Sequence, residues 1–247
     1  MPISIQKASI WKRISAHLLD AILALILAVG FAFGVSAILK YDSHLDQLAA
    51  YEKEYAQIYG IDLTLSEDEI NELPEEDQAK LEQATDAYHN DERVLKTEAT
   101  LMYIVIAMVS VGAFLACLLV YFIIPLFFKN GQTLGKKVFG LAGMRTNCVK
   151  ASNPVLFVRS MIGLYAMEVM APIFLLSIGV VGAITLVLLV ILEIVVMCVT
   201  KTNSSIHDLL SDTVVVDFAS QQIFESEEEL IEYKKELQAA EAAKSDY

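Results

Sequence analysis

The sequence has few cysteines, and their arrangement does not indicate disulfide or metal chemistry. Cys117 and Cys198 lie in apolar stretches and Cys148 lies in a basic loop, without a Cys-x-x-Cys pair or the Cys/His spacing of a metal site. This pattern favours small buried hydrophobic groups over a disulfide framework or a thiol centre. On these motifs we expect no metal ion and no cofactor.

Charge is also nearly absent from three long stretches of the chain, which is 55% hydrophobic overall. A helix needs about 20 apolar residues to cross a bilayer, and the last stretch is long enough for two crossings with a turn near Pro172 or Ser177–Gly179. No cleavage site follows the first stretch, so we expect it to be retained. We predict an all-α integral membrane protein, a four-transmembrane-helix bundle in the lipid bilayer, with spans at about 14–39, 99–128, 155–177 and 180–200.

The net charge of −13 belongs to two appendages of this bundle. Residues 40–98 hold 17 acidic and five basic residues, and residues 218–247 hold eight acidic and three basic ones. The remaining residues are slightly basic. We therefore divide the chain into a membrane domain, 8–217, an acidic insertion within it, 40–98, and an acidic tail, 218–247.

Basic residues predict the orientation of the spans. They flank the first span, crowd the loop after the second and follow the fourth. By the positive-inside rule these regions are cytoplasmic. We expect a multi-pass protein of a bacterial plasma membrane with both termini cytoplasmic and the 40–98 insertion outside.

The insertion has the signals of a helical segment. Leu45–Tyr59 is rich in helix formers, Ser66 and Glu69 have the spacing of a capping box, and Pro74 begins a further helix that we expect to continue unbroken into the second span. Its acids lack the spacing of a calcium-binding EF-hand loop. A solvated acidic helical hairpin is the favoured interpretation.

Two further segments suggest contacts with partners. Ser226–Ala243 is predicted to form a short polar helix with a narrow apolar stripe, which would dock on a partner or on the protein's own cytoplasmic face. Gly30 and Gly34 form a GxxxG motif, which serves either internal packing or a homo-oligomer. We expect a protein partner at the outer hairpin or the tail, and no nucleic acid.

Two short stretches, Leu141–Met144 and Thr213–Asp217, have the composition of β-strands. They predict a small cytoplasmic ribbon that would carry His207 and Asp208 beneath the mouth of the bundle. Ser204 or Ser205 would cap the short helix containing these two residues.

The most informative polar residues lie inside the apolar stretches. Arg13, His17 and Asp20 are spaced i, i+4, i+7 and share one helix face. Asp20 lies about 10 Å beyond Arg13 along that helix, and a carboxylate at the bilayer centre costs about 2.5–3.5 kcal/mol on insertion scales. We expect Glu193 at a similar depth and Glu168 deeper. The candidates for a polar path or for structural ion pairs are Arg13, His17, Asp20, Arg159, Glu168, Glu193, His207 and Asp208.

No segment predicts catalysis. Gly131–Lys137 resembles a phosphate loop, but only three residues separate its glycines, Lys137 replaces Ser/Thr, and an apolar helix precedes it. A glycine-rich turn after the second span explains it better. With no catalytic triad, metal cluster or nucleotide loop, we expect no catalytic residues and no enzyme.

Three motifs together resemble the RDD family of bacterial membrane proteins. They are Trp11-Lys12-Arg13 with Leu18-Leu19-Asp20, then Gly131 to Lys136, then His207 to Thr213. The resemblance implies that Arg13, Asp20 and Asp208 are the arginine and two aspartates of the family name. It covers about 8–217 without the 40–98 insertion, and implies a plasma-membrane protein for which transport is the usual suggestion. The chain continues after Asp208 as Leu-Leu-Ser-Asp, where family members often have a basic residue and a glycine.

Two functions follow as hypotheses. One is transport of protons or cations along the polar path, although four spans without an internal repeat are few for a transporter that acts as a monomer. The alternative is a non-catalytic accessory or scaffold that binds partners through the hairpin and tail, with the ionisable residues only packing the bundle.

Overall fold

Four helices are long and apolar enough to cross a membrane in the computed structural model, which describes residues 5–245. Span 1 is Ile10–Ile38, span 2 is Glu92–Phe127, span 3 is Asn153–Leu176 and span 4 is Val180–Val199. The predicted all-α membrane fold with a small two-stranded sheet is thus confirmed. The chain divides into two compact units, one of residues 29–112 and one formed by the described residues on either side. We call them the hairpin unit and the body.

The hairpin unit is helical, as predicted. Its helices between the spans are Tyr41–Tyr59, Glu67–Glu72 and Glu75–His89, and the expected Ser66–Glu69 capping box is present. Two acids anchor Arg93 near the start of span 2, with Glu54 and Asp91 at 3.1 and 2.7 Å from its Nη2.

The expected unbroken helix into span 2 is wrong. The helix that starts after Pro74 ends at His89, and span 2 begins at Glu92. The Asn90 amide donates to the Asp86 carbonyl at 2.7 Å, and the Asp91 carboxylate accepts from the Arg93 backbone N–H at 2.7 Å. These bonds end one helix and cap the next.

The GxxxG glycines make no close packing contact within the described chain. A Cβ added at Gly30 or Gly34 would meet nothing within 4 Å. The internal-packing alternative for this motif is therefore wrong for the described residues, and the homo-oligomer remains a prediction.

The body joins the membrane helices to a two-stranded ribbon. Strands β1, Leu141–Arg145, and β2, Thr213–Asp217, pair antiparallel as predicted, and Lys7 bridges to Val216 beside them. Because successive strand residues face opposite sides, Val214 and Val216 face one core cluster and Val215 faces another. The ribbon is buried on both faces.

The C-terminal helix, Glu227–Ser245, packs on the protein's own ribbon. Leu230 is buried in the cluster of Val214 and Val216, and the rings of Phe224 and Tyr233 are 5.2 Å apart beside it. The contacts of Leu230 and Tyr233 therefore show that this helix docks on its own protein, which is one of the two alternatives left by the sequence.

Spans 3 and 4 form a tight helical pair. The turn between them lies at Ser177–Gly179, where Gly179 has a φ of 72°, whereas the helix runs through Pro172. Gly182 contacts the Leu175 carbonyl so closely that a Cβ would lie 1.6 Å from its oxygen. Span 3 is π-helical from Val158 to Met170, and span 2 from Leu118 to Ile123.

Candidate functional site

Span 1 presents its ionisable face to the rest of the body. Arg13, Ala16 and Asp20 are buried on this face, and His17 lines the same cavity with its ring centre 6.5 Å from that of Tyr121. The i, i+4, i+7 spacing thus produces the shared face that the sequence indicates.

Asp20 is held by the glycine-rich segment that resembles a phosphate loop. The Thr133 hydroxyl donates to its Oδ2 at 2.5 Å, and the Gly135 backbone N–H donates to its Oδ1 at 2.7 Å. Only glycine fits at position 135, because a Cβ there would lie 2.1 Å from the Ala16 carbonyl oxygen. The segment therefore binds an anion, but the anion is a carboxylate of the same chain.

Asp208 is the buried acceptor of two guanidinium groups. Its side chain is fully buried, Arg159 Nη2 lies 2.5 Å from its Oδ1, and Arg13 Nη2 bonds to its Oδ2. Asp208 also completes a capping box with Ser205 at the start of the short helix Ile206–Leu210. Gly143 of β1 leaves room for Arg159, since a Cβ there would be 3.0 Å from Nη1.

These charges determine the ionisation of Asp208. Burial on its own raises the pKa of this carboxyl, but the positive charges of Arg159 and Arg13 outweigh burial and hold the pKa well below its usual range. Asp208 is therefore an ionised group that joins span 1, span 3 and the short helix.

A second group of side chains lies beside this ion cluster. His207 Nδ1 is 2.6 Å from Glu168 Oε1, and the backbone N–H of Ile206 donates to the Glu193 carboxylate at 3.2 and 3.3 Å. One ligating atom from each of Glu168, Glu193 and His207 lies within 4.8 Å of the others. We call these three residues the carboxylate–histidine trio.

The position of the short helix corrects one expectation from the sequence. The short helix packs against spans 3 and 4 at Glu168 and Glu193, rather than lying beneath the bundle. The ligating oxygens of Glu168 and Glu193 lie within 4.8 Å of each other, and the π-helical stretch of span 3, with more residues in each turn, contains Glu168. Arg13 bonds to Asp208 and to the Thr202 carbonyl.

One cavity of about 190 Å³ connects these groups. A single water needs about 10–15 Å³ on this measure, so the cavity has room for several waters or a hydrated ion. Seven of the eight candidate residues line it, and the eighth, Asp208, lies behind Arg13, Arg159 and His207. The fold thus brings together candidate residues that lie as many as 195 positions apart in the sequence.

The cavity also contains residues that the sequence analysis did not select. Thr133, Tyr121, Ser205 and Lys136 line it. Burial and the nearby Arg159 lower the pKa of Lys136 to about 7, against the opposing effect of Asp208 and Asp20. In the sequence, Lys136 belongs to the rejected phosphate-loop motif and to the second of the three motifs that resemble the RDD family.

Comparison with known protein families identifies the family of this chain. The model of the RDD family matches residues 7–212. The chain belongs to the RDD family. No curated protein and no solved structure matches the chain. The three residues that the resemblance assigns to the family name lie within the matched range, and in this RDD-family protein Arg13 and Asp208 bond directly while Asp20 lies two helical turns along the same face.

Proposed function

We propose that this RDD-family membrane protein moves small cations, protons included, through the cavity of its body. The observation that carries the proposal is the convergence of Asp20, Glu168 and Glu193 from three spans on one cavity. Carboxylates inside a membrane domain are costly and commonly mark ion or proton pathways.

The charges around the cavity are unevenly distributed, which supports a cation as the occupant. Arg13 and Arg159 are both engaged by Asp208. Among the side chains that the structure describes, neither Glu168 nor Glu193 forms an ion pair with a lysine or arginine. The carboxylates of spans 3 and 4 are therefore the side chains available to an entering cation.

The test is flux into proteoliposomes that contain the purified protein. We expect wild type to dissipate a gradient of protons, sodium or a divalent cation, and Asp20→Asn and Glu168→Gln to reduce the initial rate at least tenfold. Asparagine preserves the size of the side chain and can still accept from the Gly135 N–H, so Asp20→Asn tests the charge.

The matched control is Asp46→Asn, which removes an exposed carboxylate of the hairpin unit. It should transport at the wild-type rate, and each rate is normalised to the amount of folded, monodisperse protein. If wild type is inert to all three gradients, or if the cavity variants transport as fast as Asp46→Asn, the proposed function is wrong.

The acidic hairpin supports a second candidate, an accessory role in which the protein binds a basic partner. The 17 acids of residues 40–98 are concentrated in a unit that is compact by itself. Deleting 45–95 should abolish salt-sensitive cross-linking to such a partner in membranes while leaving flux through the body intact. Unchanged cross-linking after the deletion would exclude this role for the hairpin.

A further inference from the structure

We propose that the carboxylate–histidine trio, Glu168, Glu193 and His207, binds a divalent first-row transition-metal cation. The inference names the class of cation for the cavity and so rests on the proposed function. Zinc bonds to nitrogen and oxygen ligands at about 2.0–2.2 Å, so the ligand atoms of one ion are at most about 4.4 Å apart. The trio atoms lie within 4.8 Å of one another, and His207 Nδ1 and Glu168 Oε1, now 2.6 Å apart, would separate as an ion takes the place of the proton between them.

The three ligands belong to separate elements that the fold holds together. Glu168 is on span 3, Glu193 is on span 4, and His207 is on the short helix packed against both. Because the three residues are far apart in the sequence, no local metal-binding spacing marks this set. A Cβ at Gly163 would lie 2.6 Å from the His207 Cβ, so this glycine permits the close approach of the short helix to span 3.

The donor types select the class of cation. One imidazole with two carboxylates suits Zn²⁺, Mn²⁺, Fe²⁺ or Co²⁺, whereas Ca²⁺ and Mg²⁺ prefer sites made of oxygen ligands alone. Three protein ligands leave at least one coordination position for water, as in open zinc sites. An ion held in this way can exchange, which suits a site on a pathway.

Groups behind the ligands are placed as they are in metal sites. With His207 Nδ1 directed at Glu168, the opposite nitrogen Nε2 lies 3.1 Å from Ser205 Oγ and 3.6 Å from Asp208 Oδ1. A ligating histidine typically donates its second ring N–H to such an oxygen, which fixes the ring. Glu193 is likewise oriented by the Ile206 N–H.

Charge balance favours a divalent ion at this position. Two carboxylates close together repel each other in a cavity of low dielectric, and a +2 ion offsets both charges. The ion cluster next to them differs, since Asp208 already has two guanidinium partners. Asp208 is thus already neutralised by arginines of the same chain, whereas the carboxylates of Glu168 and Glu193 can be neutralised by an external cation.

The test is a Co²⁺ titration of the full-length protein in detergent, followed by visible absorption and calorimetry. We expect one ion per chain at the trio, and a dissociation constant at least tenfold higher in Glu168→Gln, Glu193→Gln and His207→Gln. His89→Gln, at the end of a hairpin helix, should bind as tightly as wild type. Equal binding in all variants, or equal weakening in this control, would overturn the site.

A measurement on wild type keeps the inference testable where a variant fails to fold. X-ray absorption at the zinc edge should show one imidazole and carboxylate oxygens in the first shell, and a shell without imidazole would overturn the site. Flux separates the two proposals. Co²⁺ binding at the trio without flux of any cation overturns the transport function alone. Proton or sodium flux, with a Co²⁺ titration that the three variants leave unchanged, overturns the metal site alone.

Discussion

Replacing Asp208 by asparagine should be among the most destabilising single changes in the body. Asparagine has nearly the same size, so the change removes the negative charge and leaves Arg13 and Arg159 buried without it. Both guanidinium side chains are only 7% exposed, and the Asp208 side chain is 0% exposed. Removing one partner of a buried ion pair costs about 3–5 kcal/mol, so we expect the unfolding constant to rise by roughly two to four orders of magnitude.

The surface pair of Lys12 and Asp217 provides the matched control. Its atoms are 2.8 Å apart, but the side chains are 48% and 27% exposed. Because water screens such pairs, Asp217→Asn should cost about 0–1 kcal/mol. Adding Arg159→Gln to Asp208→Asn should recover part of the loss, since one fewer guanidinium is then uncompensated.

The assay is the free energy of unfolding in mixed micelles, from a denaturing-detergent titration followed by circular dichroism. The low pKa of Asp208 in the folded protein means that its stabilisation is complete above about pH 4 and is lost as pH falls further. The gap between wild type and Asp208→Asn should therefore narrow in acid. A loss no larger than that of Asp217→Asn, or a gap that acid does not narrow, would refute the reasoning.

Three further predictions concern packing and pH. Gly163→Ala should lower stability by about 1–3 kcal/mol and weaken Co²⁺ binding, because the new methyl group clashes with His207; wild-type stability together with wild-type Co²⁺ affinity would contradict the close approach. The pKa of Lys136 is lowered to about 7 in the folded protein, so its positive charge costs stability below that pH, and the free energy of unfolding rises between pH 7 and the ordinary lysine pKa of about 10.4. In Lys136→Met the free energy of unfolding should therefore depend less on pH over this range than in wild type. The same pH dependence in both proteins would exclude the effect. Leu230→Ala should cost about 2–5 kcal/mol in the C-terminal helix contact and expose that helix to limited proteolysis, whereas Ile231→Ala, at a side chain that is 52% exposed, should not; equal cleavage of both variants would contradict the packing.

The parts of the fold that could be predicted are those with local signals. Runs of apolar residues predicted the four spans, and the β-branched Val214–Val216 predicted a strand that pairs with β1. The break at Asn90–Asp91 also had a signal, because both residues favour helix ends, but the favourable composition around them suggested a continuous helix.

The arrangement of the site depended on information that is not local. The sequence supplied all three trio residues as separate polar candidates, yet their convergence depends on the π-helical stretch of span 3 and the packing of the short helix against it. Asp208 was selected, but its two arginine partners lie 195 and 49 residues away. Helical periodicity describes one face of one helix and does not specify which distant residue will contact it.

The separation of Arg13 from Asp208 has a consequence for biosynthesis. At about 5–20 residues per second, a ribosome needs roughly 10–40 s to extend the chain from the first residue to the second. During that interval span 1 is already synthesised while its arginine lacks the carboxylate that neutralises it. Lys7 likewise cannot form its backbone β-bridge until Val216 has been synthesised. The RDD body therefore closes only after Asp208 has been synthesised, and until then the first helix depends on the insertion machinery, on lipid headgroups or on water to accommodate its charges.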